Sequence, residues 1–107
     1  MNNNIEERRL LLHEKLKELI GNDNVYFQPP ESLKMQYPCI RYKRSSGNSF
    51  AADNIKYVRR ITYELMVISK DPEETAVFTI PEAFEYCDEG RHYTANNLNH
   101  DVFYIFW

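Results

Sequence analysis

Glycine is scarce in this chain, three residues in 107. That argues against the glycine-rich loops that cradle phosphates, and neither G-x-x-x-x-G-K-[ST] nor G-x-G-x-x-G occurs. Cysteine is nearly as sparse. Cys39 and Cys87 lie far apart and form no C-x-x-C pair, so reduced thiols are expected rather than a disulfide or a zinc site. No G-x-S-x-G occurs, and neither cysteine has a nearby histidine or helix N-terminus to activate it as a nucleophile. No apolar run approaches the ~18 residues of a membrane span, and the opening MNNNIEERR lacks the apolar core of a signal peptide. Blocks of like charge are missing as well: 13 basic and 16 acidic residues are interspersed, for a net charge of -3. A dedicated basic patch for nucleic acid and a polybasic membrane anchor are therefore unsupported.

What the chain has in quantity is aromatic surface, with 8 tyrosines and 6 phenylalanines. Length and composition describe one ordered domain, residues 1–107. The stretch Arg59–Asp71, RRITYELMVISKD, is apolar on both alternating sets: Ile61, Tyr63, Leu65 and Val67 on one side, Met66 and Ile68 on the other. Such a strand belongs in the middle of a sheet, with cover above and below. Pro72 ends it, lacking an amide hydrogen.

A helix is predicted over Ile5–Ile20, with Asn4 as its cap, Glu7 completing a capping box and Gly21 as its left-handed stop. At ~100° per residue, Ile5, Leu12, Leu16, Leu19 and Ile20 share one stripe that would lie on the sheet. Leu10 and Leu11 fall outside it on opposite sides, and either widen the buried face or touch another subunit. Val25–Phe27 reads as a short strand, Pro29–Pro38 as a loop with one extended segment at Leu33–Met35, and Cys39–Ser45 as a strand with Ile40 and Tyr42 facing one way and Cys39, Arg41 and Lys43 the other, so that one side is partly wet. Ser46–Lys56 is a long polar excursion carrying Phe50 and Ile55, with Tyr57 just beyond. A second helix over Glu73–Glu85 should stop early or kink near Thr79 because of Pro81; Arg91–Thr94 is a short strand, Ala95–Asn97 a turn, and Asn99–Trp107 a last strand beside the central one. The expected fold is α+β, a mixed or mainly antiparallel sheet of about four to five strands with the N-terminal helix on one face and a second short helix near the edge.

Chemistry-bearing constellations are thin. His13, His92 and His100 lack ligand spacing, and His100 and Asp101, adjacent on a strand, point to opposite faces, so no metal is expected. Asp53, Glu64 and Lys70 resemble the scattered acid and lysine sets of metal-dependent nucleases, but Glu64 and Lys70 are too far apart along one strand to act together. Leu10, Leu11, Phe50, Ile55, Tyr57, Tyr37 and the aromatic C-terminal stretch instead make an unusually adhesive surface, which favours binding over catalysis.

Four phrases taken together resemble one family: YPCIRY at Tyr37–Tyr42, A-D-N at Ala52–Asn54 followed by Tyr57, YELMVISKDP at Tyr63–Pro72, and above all RHYTANNLNHDVFYIFW at Arg91–Trp107. The chain is similar in these to the tail terminator, or tail completion, proteins of long-tailed phages and prophages. The resemblance runs from Val25 to Trp107 and departs in Glu73–Glu89 and at Arg59 and Arg60. It implies a structural virion protein: a small α+β domain that forms a hexameric ring on the end of the tail tube, stops its polymerisation and meets the head-tail connector protein, with DNA only as passing cargo. It implies no catalytic residues, cofactor, metal or membrane partner. A head completion or neck protein is the alternative within the class, and a small metal-dependent nuclease the alternative outside it. A ring needs a heterologous contact. The excursion would serve as its arm, anchored by Phe50 and Ile55, with Leu10 and Leu11 as the receiving patch.

Overall fold

The computed structural model describes residues 4–45 and 61–107. In chain order they form α1 (Asn4–Ile20), β1 (Val25–Phe27), β2 (Cys39–Arg44), β3 (Thr62–Ser69), α2 (Thr75–Ala83), β4 (Cys87–Ala95) and β5 (Leu98–Phe106). The strands make one five-stranded sheet in the order β1-β2-β3-β5-β4. β1 runs parallel to β2 and every other neighbouring pair is antiparallel, so the sheet is mixed and the fold is α+β. The doubly apolar strand β3 is central, and the last strand lies beside it, with Leu65 opposite Phe103 and Val67 opposite Asp101.

Alternation sorts each strand into two faces. Ile40, Tyr42, Tyr63, Leu65, Val67, Phe103 and Ile105 point toward the helices and form one core with Leu12, Leu16 and Ile20 of α1 and Ala76 and Ile80 of α2. Leu12 and Leu16 are wholly buried, and each such side chain contributes about 1.5–3 kcal/mol by leaving water. Cover above and below the central strand was the expectation, yet both described helices pack on this one face. Apolar alternation reports that two faces are shielded but not by which element. On the other face Ile68 lies between Cys39 and His100 in register, and Met66 between Arg41 and Val102.

Several boundaries differ from those the residues suggest, each for a local reason. Ile5 belongs to the expected buried stripe but is 49% exposed, lining an open groove with Phe27, Arg44 and Tyr63. The extended segment expected at Leu33–Met35 is irregular chain. There the Leu33 amide donates to the Pro30 carbonyl at 3.1 Å and the Gln36 amide to the Tyr26 hydroxyl at 3.0 Å, a turn and a side-chain contact in place of strand pairing. α2 starts at Thr75 rather than Glu73, since Asp71 holds the preceding residues in a turn. Its Oδ1 accepts from the Glu73 amide at 2.9 Å and its carbonyl from the Glu74 amide at 3.2 Å. Pro81 sits inside the last turn and the helix ends at Ala83. Gly21 does stop α1: at φ +80° its amide donates to the Lys17 carbonyl at 2.9 Å.

β4 is far longer than the Arg91–Thr94 expected, running over Cys87–Ala95 through residues of low strand propensity. Backbone pairing to β5 holds them, with an irregularity between Glu89 and His92. Gly90 lies in that irregularity for a steric reason: a Cβ there would sit 2.9 Å from the Val102 carbonyl oxygen and 3.1 Å from Cε2 of Tyr104. Gly90→Ala is therefore expected to cost about 1–3 kcal/mol. For a domain of this size that lowers the thermal midpoint by at least about 4 °C, and an unchanged midpoint by circular dichroism would remove the argument.

Candidate interaction surfaces

The seam between α1 and the sheet is built around a buried tyrosine. Tyr42 is 1% exposed, and its ring centroid lies 4.9 Å from that of Phe27 and 5.9 Å from that of Tyr63. Arg9 Nη1 donates to the Tyr42 hydroxyl at 3.2 Å, and the same hydroxyl lies 2.8 Å from Nδ1 of His13. Burial first, then Lys17 and Arg9, push the His13 pKa down, with Glu14 opposing. Burial likewise raises the Tyr42 hydroxyl, opposed by its hydrogen bond from Arg9.

A stability effect follows from His13. Its folded-state pKa is below the unfolded value of about 6.5, so the unfolded chain binds more protons there. The contribution of neutral His13 is complete above that value and is lost as pH falls from it through the folded-state pKa. Urea midpoints of the wild type and His13→Gln, compared at neutral pH and near pH 5, should converge in acid. A constant gap between them would show that His13 has no such role.

The C-terminal seam ties Trp107 to α1. Trp107 Nε1 donates to the Arg8 carbonyl at 2.6 Å, the Arg8 guanidinium donates to the Trp107 carbonyl, and the Trp107 amide extends the β3–β5 ladder to Ile61 at 2.9 Å. Lys15 stands over the Phe84 and Trp107 rings, which meet edge to face.

The residues singled out for contact or chemistry divide clearly. Leu10 and Leu11 are on the outward side of α1, 50% and 64% exposed, so they do not widen the buried face. Phe50, Ile55, Tyr57 and Asp53 lie outside the described residues. Glu64 is at mid-β3 opposite Lys43 and Tyr104, while Lys70 follows the strand end, about 20 Å farther by the rise per residue. Among the described residues no three His, Cys, Asp or Glu groups stand close enough to hold a metal. His100 stacks on Tyr93, centroids 4.8 Å apart, and not with its sequence neighbour Asp101. Asp101 pairs across the hairpin with His92, Oδ1 to Nδ1 at 2.8 Å.

That cross-strand pair escaped a reading that placed the turn at Ala95–Asn97. Asn96 and Asn97 both have positive φ, 56° and 64°, as a two-residue type I′ turn requires. Counting outward from such a turn sets His92 opposite Asp101. Phe78, 61% exposed, was also missed. Its signal was the spacing of Ala76 and Ile80, which are both buried and leave the residue between them facing out.

Both cysteines are free and sit on opposite faces of the sheet, Cys39 with Ile68 and Cys87 with Ile105. Burial and neighbouring charge set their acidity. Burial pushes the Cys39 thiol up to about 12, against Arg41, and burial together with Glu89 and Asp88 pushes Cys87 up to about 11. No helix among the described residues is long and apolar enough to cross a membrane.

Surfaces that could engage a partner remain. Among those on the described residues are the outward side of α1 and a groove of about 460 Å3 whose lining includes Pro29, Arg41, Tyr42, Lys43, Glu64 and Met66. Comparison of the chain with protein-family models, with curated proteins and with solved structures finds no match.

Proposed function

We propose that the protein is a structural component of a long-tailed phage or prophage virion, a tail terminator that forms a ring on the end of the tail tube and joins it to the head. The observation that carries this reading is the pair Leu10 and Leu11, held in solvent on a regular helix whose own core stripe is already filled by Leu12, Leu16 and Ile20. Side by side on one outward face of an ordered helix, they support a contact with a partner. The phrase RHYTANNLNHDVFYIFW, the most specific part of the family resemblance, supports it and coincides with β4, β5 and Trp107. The proposed arm, with Phe50, Ile55 and Tyr57, departs from Ser45 and rejoins at Ile61, where the Ser45 amide donates to the Thr62 carbonyl at 2.7 Å.

In this role the partners are other copies of the chain, the tail tube protein and the head-tail connector protein, and the protein breaks no bond. Depleting it from a producing host while imaging particles tests the reading. Overlong tails without heads are expected. Full heads that leak DNA beside tails of normal length would reassign it to the neck, and normal virions would remove it from assembly altogether.

A further inference from the structure

The outward side of α1 has a definite chemistry. With ~100° between successive residues, Glu7, Leu10, Leu11, Glu14 and Glu18 fall within an arc of about 100°, opposite the arc of Leu12, Leu16 and Ile20. All five are exposed, and that arc contains no lysine or arginine. Lys17 at its margin reaches Glu14 at 3.5 Å, whereas Glu7 and Glu18 make no ion pair among the described residues. Two leucines thus stand among three carboxylates.

The sheet groove is the counterpart. Arg41 and Lys43 project from the helix-free face of β2, both exposed and neither in an ion pair among the described residues. They set two cations against the single carboxylate of Glu64, beside the apolar Met66 and Pro29, while Arg44 at the rim alternates onto the helix face opposite Tyr63. The carboxylates of the helix arc suit these cations, and its leucines suit Met66 and Pro29. Nucleic acid and anionic lipid fit only the groove and are repelled by the arc. α1 covers one face of the sheet and the groove opens on the other, so one molecule cannot join its own two surfaces.

We propose that the outward arc of α1 on one copy seats in the sheet groove of the next, giving a head-to-tail contact with carboxylates on Arg41 and Lys43 and leucines on Met66. This inference rests on the ring reading and specifies its contact. Such a heterologous contact closes into a ring of six when each step turns by about 60°, and otherwise grows as an open filament.

Charge exchange tests the pairing. Glu14→Arg with Glu18→Arg makes the arc basic; Arg41→Glu with Lys43→Glu makes the groove acidic. Each double variant alone is expected to lose the wild-type oligomer in analytical ultracentrifugation, with at least about a tenfold weaker association. Mixed in equal amounts they should restore it, because a basic arc meets an acidic groove at one junction and the native pairing recurs at the next. Circular dichroism confirms that each variant folds. A second route leaves the charges nearly intact: Leu11→Cys with Lys43→Cys on one chain should give a ladder of covalent multimers with a short bismaleimide, and either single substitution should not. Oligomers that persist in both charge variants, or a double-cysteine chain without a ladder, overturn this contact while the ring stands. A wild type that stays monomeric even when imaged with tail tubes overturns both.

Discussion

Tyr42→Ala is expected to be among the most damaging single substitutions in the protein, destabilising it by about 3–5 kcal/mol. The ring fills the junction of Phe27, Tyr63 and His13, and nothing nearby is free to take its volume, since the surrounding side chains belong to the same packed core. The loss goes beyond packing. Without the hydroxyl, Arg9 Nη1 and His13 Nδ1 lose a shared partner at a half-buried seam. Domains of this kind have only about 5–15 kcal/mol in total, so the alanine variant should lose about a fifth or more of its stability and at least about 12 °C in thermal midpoint. Tyr42→Phe separates the two effects: it keeps the ring and should cost only about 1–3 kcal/mol. Equal losses in the two variants, measured by urea denaturation, would mean that the ring contributes nothing and that this account of the seam is wrong.

The second large effect is expected at Trp107. Trp107→Ala removes the edge-to-face contact with Phe84, the cation over the indole and the Nε1 bond to the Arg8 carbonyl. Because the residue is only half-buried, the lower end of the range for large aromatic truncations applies, about 3 kcal/mol. Trp107→Phe should keep most of the packing and lose about 1 kcal/mol with the hydrogen bond. Amide exchange offers a local check. Protection should fall first around the start of α1, which the indole ties to the sheet, and uniform loss across the chain would argue that Trp107 acts only through global stability.

How far these features were legible in the residues depends on how each is encoded. The central strand, the buried stripe of Leu12, Leu16 and Ile20 and the stop at Gly21 come from local periodicity and local conformational preference, and all three stand in the fold. The sidedness of Leu10 and Leu11 was left open, because flanking leucines satisfy either arrangement until the neighbouring elements are placed. Ile5 departs from the stripe because periodicity gives a direction around the helix and does not say whether a neighbour closes over it. β4 was cut short because Asp88, Glu89 and Gly90 look like loop, whereas an edge strand is held by its partner's backbone. The His92–Asp101 pair lay within reach of arithmetic, had the turn been set at the two asparagines.

The contact surfaces were legible only in half. Leu10 and Leu11 announced themselves by breaking the stripe. The groove did not, because Arg41, Lys43 and Glu64 come from two strands and meet only through the pairing of β2 with β3. Sequence order kept them apart, and net charge averaged them with the acids of α1.

The strand order has one more implication, for synthesis. Of the described strands β5 is the last to be made, yet it lies inside the sheet, between β3 and β4, whose residues are made earlier. Until β5 leaves the ribosome, β3 presents a bare, doubly greasy margin and β4 has nothing to pair with. A translating ribosome that stalls before Leu98 therefore holds a nascent chain with an open sheet edge, and the sheet of described strands is complete only once Leu98–Phe106 has emerged.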